Sequence, residues 1–192
     1  VELGNLPEAD AEALLRGLLA KVPVLPGELL TRALELSRGN PLYLEMLVSV
    51  LREDGTIRDD EGTWVVDGPR AARAELPMSV EEAARARVAV LTPEERCLLE
   101  TAAVVGTTFP RSALVCVSRS EAEVDDRARV WTTDTHGQAV RERLEELVSR
   151  DYLQRLTSGP AVAPPTGVAD EVYYGFCRDL ERECLAAAVD VE

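Results

Sequence analysis

The feature that most constrains this fold is a junction between two helices, Ser37-Arg38-Gly39-Asn40-Pro41-Leu42. Gly39 can adopt the left-handed conformation that closes the preceding helix, and Asn40 can cap the following one. Pro41 suits a first helical position, which needs no amide hydrogen. The motif predicts a sharp corner with unpaired amide hydrogens behind a flat proline ring. Such a corner suits a nucleotide or a neighbouring domain, although the same motif serves packing alone at many helix junctions.

Length and charge restrict the class of protein. A chain of 192 residues can form one ordinary domain or two small ones. Its net charge of −14 repels phosphate backbones and anionic membrane surfaces, so DNA binding is not expected. The sequence contains no targeting segment and no apolar run of about 20 residues, so we expect a cytoplasmic protein that does not associate with membranes. The chain starts at Val1, without an initiator methionine and within a segment that is expected to be structured. We therefore expect it to belong to a larger protein.

The cysteines indicate neither disulfides nor a metal site. The chain has four cysteines without a C-x-x-C pair, and one histidine. This pattern is typical of buried, reduced thiols.

The first part of the chain has helical periodicity. Apolar residues at helical spacing predict one helix from Leu6-Pro7, a second from about Pro26 to Arg38, and a third from Pro41 to near Gly55. These three helices with short joints form a small helical subdomain.

A β-hairpin is predicted next. Residues 56–58 and 63–66 flank the polar turn Asp59-Asp60-Glu61-Gly62, and Trp64 is expected to cover the helices. Asp67-Gly68-Pro69 and the Ala/Arg segment after it are typical of a linker. We therefore place a domain boundary near Glu75, which gives domains 1–75 and 76–192.

The second domain begins with two capping boxes. Ser79 with Glu82 predicts a helix that ends near Leu91, and Thr92 with Glu95 predicts another that ends near Gly106. A short helix is expected after Phe109-Pro110.

The rest of the chain predicts a winged helix-turn-helix. A helix over 138–150 precedes two strands, 152–156 and 171–176, which a loop rich in Gly and Pro joins. Helices followed by such a hairpin are typical of winged helices, and a last helix follows. The predicted fold is mainly α with small β-hairpins.

Catalytic motifs are absent from the sequence. It has no G-x-x-x-x-G-K-[ST] phosphate loop, G-x-G-x-x-G, H-E-x-x-H or G-x-S-x-G, and we expect the single histidine, His136, to be a surface residue. Acidic pairs such as Glu94-Glu95 and Glu145-Glu146 are interpreted as capping and solvated residues. We do not expect this chain alone to be an enzyme.

Several short sequence motifs follow one another along nearly the whole chain. They are Leu6-Pro7-x-x-Asp10, Gly39-Asn40-Pro41-Leu42-Tyr43-Leu44, Gly62-Thr63-Trp64, Leu76-Pro77-x-Ser79-Val80, Ala86-Arg87-Val88, Leu99-x-x-Ala102-Ala103-Val104-Val105-Gly106-x-x-Phe109 and Tyr174-x-Phe176-x-Arg178-Asp179-Leu180-x-Arg182-Glu183. Together they resemble the STAND-type AAA+ ATPases, in particular the regulatory modules attached to bacterial Ser/Thr kinases, adenylate cyclases and LuxR-type activators.

The resemblance implies a nucleotide site shared with a preceding core. In that family the core carries the Walker motifs, and a helical lid and a winged-helix domain follow it. Gly39-Asn40-Pro41 would match the lid turn whose proline touches adenine. Arg178 would stand where the family has a histidine that reaches the ADP phosphate. Arginine can also bind phosphate oxygens, although here it can instead pair with Glu181 on its own helix.

The resemblance implies a regulatory fragment that couples the nucleotide state of a core to an effector. ATP or ADP is the implied cofactor of the parent protein, and none is expected in this chain alone. The core and the effector domain are the implied partners, with self-association as a further one. The alternatives are a winged-helix transcription regulator that binds DNA and a protein-interaction scaffold. Mixed charge on helix 138–150 disfavours the DNA-binding alternative.

Overall fold

The computed structural model describes residues 4–123, 135–156 and 171–189, with the backbone alone for 119–123 and 135–136. The described residues are mainly helical, as predicted, with two small antiparallel sheets. The chain divides into two compact units, residues 1–90 and 91–192.

Three helices form the body of the first unit, close to their predicted bounds. The central one is α3, which packs on both of the others and buries side chains around most of its circumference. Tyr43 lies in this core, and burial, followed by the charge of Glu82, raises the pKa of Tyr43 to about 12. The helices are α1 (Glu8–Leu18), α2 (Gly27–Ser37) and α3 (Pro41–Glu53).

The predicted hairpin is present. Strands β1 (Ile57–Asp60) and β2 (Thr63–Val66) pair antiparallel. The two turn residues between them have φ values of 50° and 88°, the left-handed pair that a tight two-residue turn requires. Trp64 is partly buried against the helical core, and the cations of Lys21 and Arg52 lie 5.4 and 4.8 Å from the centre of its ring.

The segment after the hairpin is not a plain linker. It forms the short helix α4 (Gly68–Arg73), whose first turn is capped by a bond from the Arg70 amide to the Asp67 side chain. The next helix, α5 (Val80–Ala89), packs extensively on α3. For this reason the first compact unit extends to Val90, beyond the boundary expected near Glu75.

The described residues of the second unit form a three-stranded sheet flanked by four helices. Strand β5 lies in the centre and pairs antiparallel with β3 and β4. Phe109, Tyr174 and Phe176 form an aromatic cluster at the sheet. The elements are α6 (Pro93–Val105), β3 (Thr108–Pro110), α7 (Arg111–Glu123), α8 (Thr135–Ser149), β4 (Leu153–Leu156), β5 (Tyr173–Phe176) and α9 (Asp179–Ala186).

Two details of the second unit differ from the sequence prediction. Residues 108–110 form a strand that the sequence did not predict. Its partner, β5, comes more than 60 residues later in the chain, so no signal near residue 108 indicates the pairing. Helix α7 is longer than the short helix expected after Pro110.

The expected burial of the cysteines was wrong. Three of them are exposed and one is half-buried, and all four are thiols rather than disulfides. Within the described ranges, no helix is both long and apolar enough to cross a membrane.

Candidate functional site

The corner between α2 and α3 has the predicted local geometry. Arg38 and Gly39 both adopt the left-handed conformation, with φ values of 49° and 79°. The Asn40 side chain accepts a hydrogen bond from the Tyr43 amide at 3.3 Å, and Pro41 is the first residue of α3. The predicted cap and helix start are confirmed.

Residues ahead of α1 form hydrogen bonds to this corner, and the sequence did not predict these bonds. The Leu6 amide donates to the Gly39 carbonyl at 2.8 Å, and the Asn5 side chain donates to the Arg38 carbonyl at 3.0 Å. A Cβ atom at Gly39 would lie 2.2 Å from the Leu6 carbonyl oxygen. Position 39 therefore requires glycine for the close approach of two backbones as well as for its φ value.

The outer side of the corner is apolar and open. Pro41 and Leu42 are exposed, whereas Gly39 is buried and Asn40 is half-buried. A proline ring next to an exposed leucine offers a small flat surface at the positive end of a 13-residue helix. Such a surface can contact an aromatic ring while the helix end favours nearby negative charge.

Arg178 is held by contacts within the second unit. It stands directly ahead of α9, and its Nη1 atom donates to the Asp151 carbonyl at 3.0 Å and lies 3.6 Å from a carboxylate oxygen of Glu181. Its side chain is 14% exposed, and that of Glu181 is 1% exposed. The ion pair along its own helix, which was the alternative interpretation of Arg178, is therefore present. Phosphate binding by Arg178 stays a prediction.

The residues predicted for a nucleotide site do not gather within one unit. Gly39, Asn40 and Pro41 belong to the first unit, and Arg178 belongs to the second. Trp131 lies outside the described residues, and the side chain of His136 is likewise not described.

Sequence reasoning missed a polar cluster in the second unit. The Tyr174 hydroxyl and the Arg155 Nε atom donate to one carboxylate oxygen of Glu145, at 3.0 and 3.1 Å. Burial raises the pKa of Glu145, but the bonds from Arg155 and Tyr174 outweigh it and leave the pKa below its usual value. Burial and the Glu145 carboxylate both raise the pKa of Tyr174. The cluster is an ionised carboxylate already occupied by two donors, which suits a structural role.

The second missed contact involves the capping box of α6. Glu95 completes the box with Thr92, as predicted, but its side chain is only 5% exposed and forms an ion pair with Arg150. The capping role of Glu95 is confirmed, and its burial follows because Arg150, the residue after α8, lies beside it.

Comparisons with protein-family models, curated proteins and solved structures gave no significant match to this chain.

Proposed function

We propose that the chain is the helical lid and winged-helix region of a STAND-type regulatory ATPase. In this role it transmits the nucleotide state of a preceding core to an effector by changing how its units pack. The observation that carries the proposal is the corner between α2 and α3. There a capped helix start exposes Pro41 while the chain entering α1 is bonded to Gly39.

The topology of the second unit supports the winged-helix part of the proposal. Its elements run helix, strand, helix, helix, strand, strand, and the strand that follows the first helix pairs with the last one. In a winged helix the helix ahead of the hairpin is the recognition helix, and α8 holds that position here.

The charges around α8 disfavour the alternative of DNA binding. Arg150 pairs with Glu95, and Arg155 pairs with Glu145. Phosphate binding would have to replace these carboxylates, and the chain carries a net charge of −14. We expect no tight, sequence-selective binding in an anisotropy titration with duplex DNA at physiological salt, and such binding would favour a transcription regulator instead.

The corner is tested in the protein that contains this chain together with its nucleotide core. Pro41→Ala removes two methylene groups from the exposed ring, and each buried methylene contributes about 0.8 kcal/mol. Loss of one or both methylene contacts should therefore lower ADP affinity by about four- to fifteenfold, measured by calorimetry. Pro69→Ala is the matched control, since Pro69 is an exposed proline at the start of α4 in the same unit. Equal ADP affinity in both variants would refute a nucleotide contact at the corner.

Arg178 requires a test that separates nucleotide binding from stability. A hydrogen bond to a charged group contributes about 1.5–3 kcal/mol, so Arg178→Ala should weaken ADP binding by about tenfold or more. Arg141→Ala, at an exposed arginine of α8, is the control. Because Arg178 also holds Asp151 and Glu181, thermal unfolding of both variants is measured without nucleotide. Lower stability with unchanged ADP affinity would make Arg178 a structural residue.

The chain alone should not hydrolyse ATP, because its sequence has no phosphate loop. Turnover by the purified chain that a substitution within it abolishes would contradict the proposal.

A further inference from the structure

A cavity of about 680 Å³ opens in the first unit, between α2, α3, α5 and residues 75–78. This volume lies within the range of about 300–1,000 Å³ that is typical of ligand sites. Most of its lining is apolar. Its buried and half-buried apolar residues are Leu36, Val50, Leu76, Pro77 and Ala86.

The rim of the cavity is acidic. Glu35, Glu75 and Glu82 line it and are exposed. The one cation of the lining, Arg32, donates from its guanidinium to the Ala74 carbonyl at 2.7 Å. The lining thus carries three carboxylates and one guanidinium, and that guanidinium is already bonded to a backbone carbonyl. The local electrostatic field therefore favours a positively charged group.

Hydrogen bonds hold the wall of the cavity in place. The buried Tyr43 hydroxyl donates to the Pro77 carbonyl at 2.7 Å. The Met78 amide donates to a Glu82 carboxylate oxygen, also at 2.7 Å. Residues 77 and 78 are therefore bonded to α3 and α5. A ligand that binds here does not lose free energy to the ordering of this segment.

Met78 completes the site with an adaptable apolar side chain. It lines the cavity and is 69% exposed. The flexible thioether of a methionine adapts to partners of varied shape.

We propose that this cavity binds a short basic segment of a partner protein. An aliphatic side chain of that segment contacts the apolar floor, and flanking Lys or Arg residues pair with Glu35, Glu75 and Glu82. Apolar anchors supply most of the affinity in such peptide sites, and charge complementarity supplies specificity. The inference goes beyond the proposed function, because it requires neither nucleotide nor the second unit.

The two methionines of the chain provide a direct assay. Met78 lies at the cavity, whereas Met46 is fully buried in the helical core and serves as an internal reference. The protein is labelled with ¹³C at the methionine methyl groups and titrated with the peptide acetyl-Arg-Leu-Leu-Arg-amide. We expect a saturable shift of the Met78 signal and an unchanged Met46 signal. No shift of Met78, or an equal shift with acetyl-Glu-Leu-Leu-Glu-amide or acetyl-Arg-Ser-Ser-Arg-amide, would overturn the proposal.

Variants separate the cavity from general attraction to an acidic protein. The double variant Glu35→Gln, Glu75→Gln should weaken peptide binding by about two- to twentyfold, since an exposed ion pair changes affinity by up to about fivefold. Glu146→Gln, Glu183→Gln makes the same charge change in the second unit and should leave binding unchanged. Ala86→Phe keeps the charge but fills the cavity, and it should abolish the Met78 shift while a native Met46 signal shows that the protein is folded. Equal effects of the two double variants, or full binding by Ala86→Phe, would overturn the proposal.

Discussion

Replacing Gly39 by alanine should destabilise the first unit more than any other glycine substitution at a turn. The left-handed conformation costs a non-glycine residue about 1–2 kcal/mol, and φ at position 39 is 79°. The new Cβ atom would also stand 2.2 Å from the Leu6 carbonyl oxygen, so the two backbones must separate. Losing the bond from the Leu6 amide to the Gly39 carbonyl adds about 0.5–1.5 kcal/mol. We therefore expect a loss of about 1.5–3.5 kcal/mol in the free energy of unfolding for Gly39→Ala.

Gly62→Ala is the matched control for this experiment. Gly62 has a φ value of 88°, but a Cβ atom there would meet nothing within 4 Å. The substitution should therefore cost only the backbone strain, about 1–2 kcal/mol. The difference between the two variants isolates the contact between the corner and the chain ahead of α1.

Urea unfolding followed by tryptophan fluorescence measures both losses. The chain has two tryptophans, Trp64 and Trp131, so a Trp131→Phe background leaves Trp64 as the probe of the first unit. Equal free energies of unfolding for Gly39→Ala and Gly62→Ala would refute the reasoning, because the Leu6 contact would then contribute nothing.

Three further predictions concern single contacts. Tyr43→Phe leaves the buried Pro77 carbonyl without its donor and should cost about 1–2 kcal/mol in urea unfolding. Thr92→Ala removes the cap of α6 and should cost about 1 kcal/mol in thermal or urea unfolding, whereas Thr92→Ser should restore most of it. The pKa of Glu145 is lowered in the folded state, so its stabilisation is present above the unfolded value of about 4.3 and is lost as pH falls through the folded value. Glu145→Gln should therefore flatten the dependence of unfolding free energy on pH below about pH 5, and an unchanged slope would contradict this.

The elements that sequence alone predicted are those whose signals are local. Gly39, Asn40 and Pro41 form the corner, because left-handed backbone, side-chain capping and a missing amide hydrogen each act within four residues. The capping box of α6 and the first hairpin follow for the same reason, although Asp59 and Asp60 belong to β1 and not to the turn where they were predicted. The conformation of each of these elements is determined by consecutive residues, so it does not depend on a distant partner.

The remaining features depend on residues that only folding brings together. Strand β3 exists because β5 pairs with it, and α5 joins the first unit because it packs on α3. The carbonyl of Leu6 makes glycine necessary at position 39 for a second reason, and Asp151 and Glu181 decide where the Arg178 guanidinium points. The cavity beside Met78 arises in the same way, from residues 32 to 86 on three helices and one connecting segment. Local propensities cannot specify such contacts, since their energy depends on which side chains meet after the chain has folded.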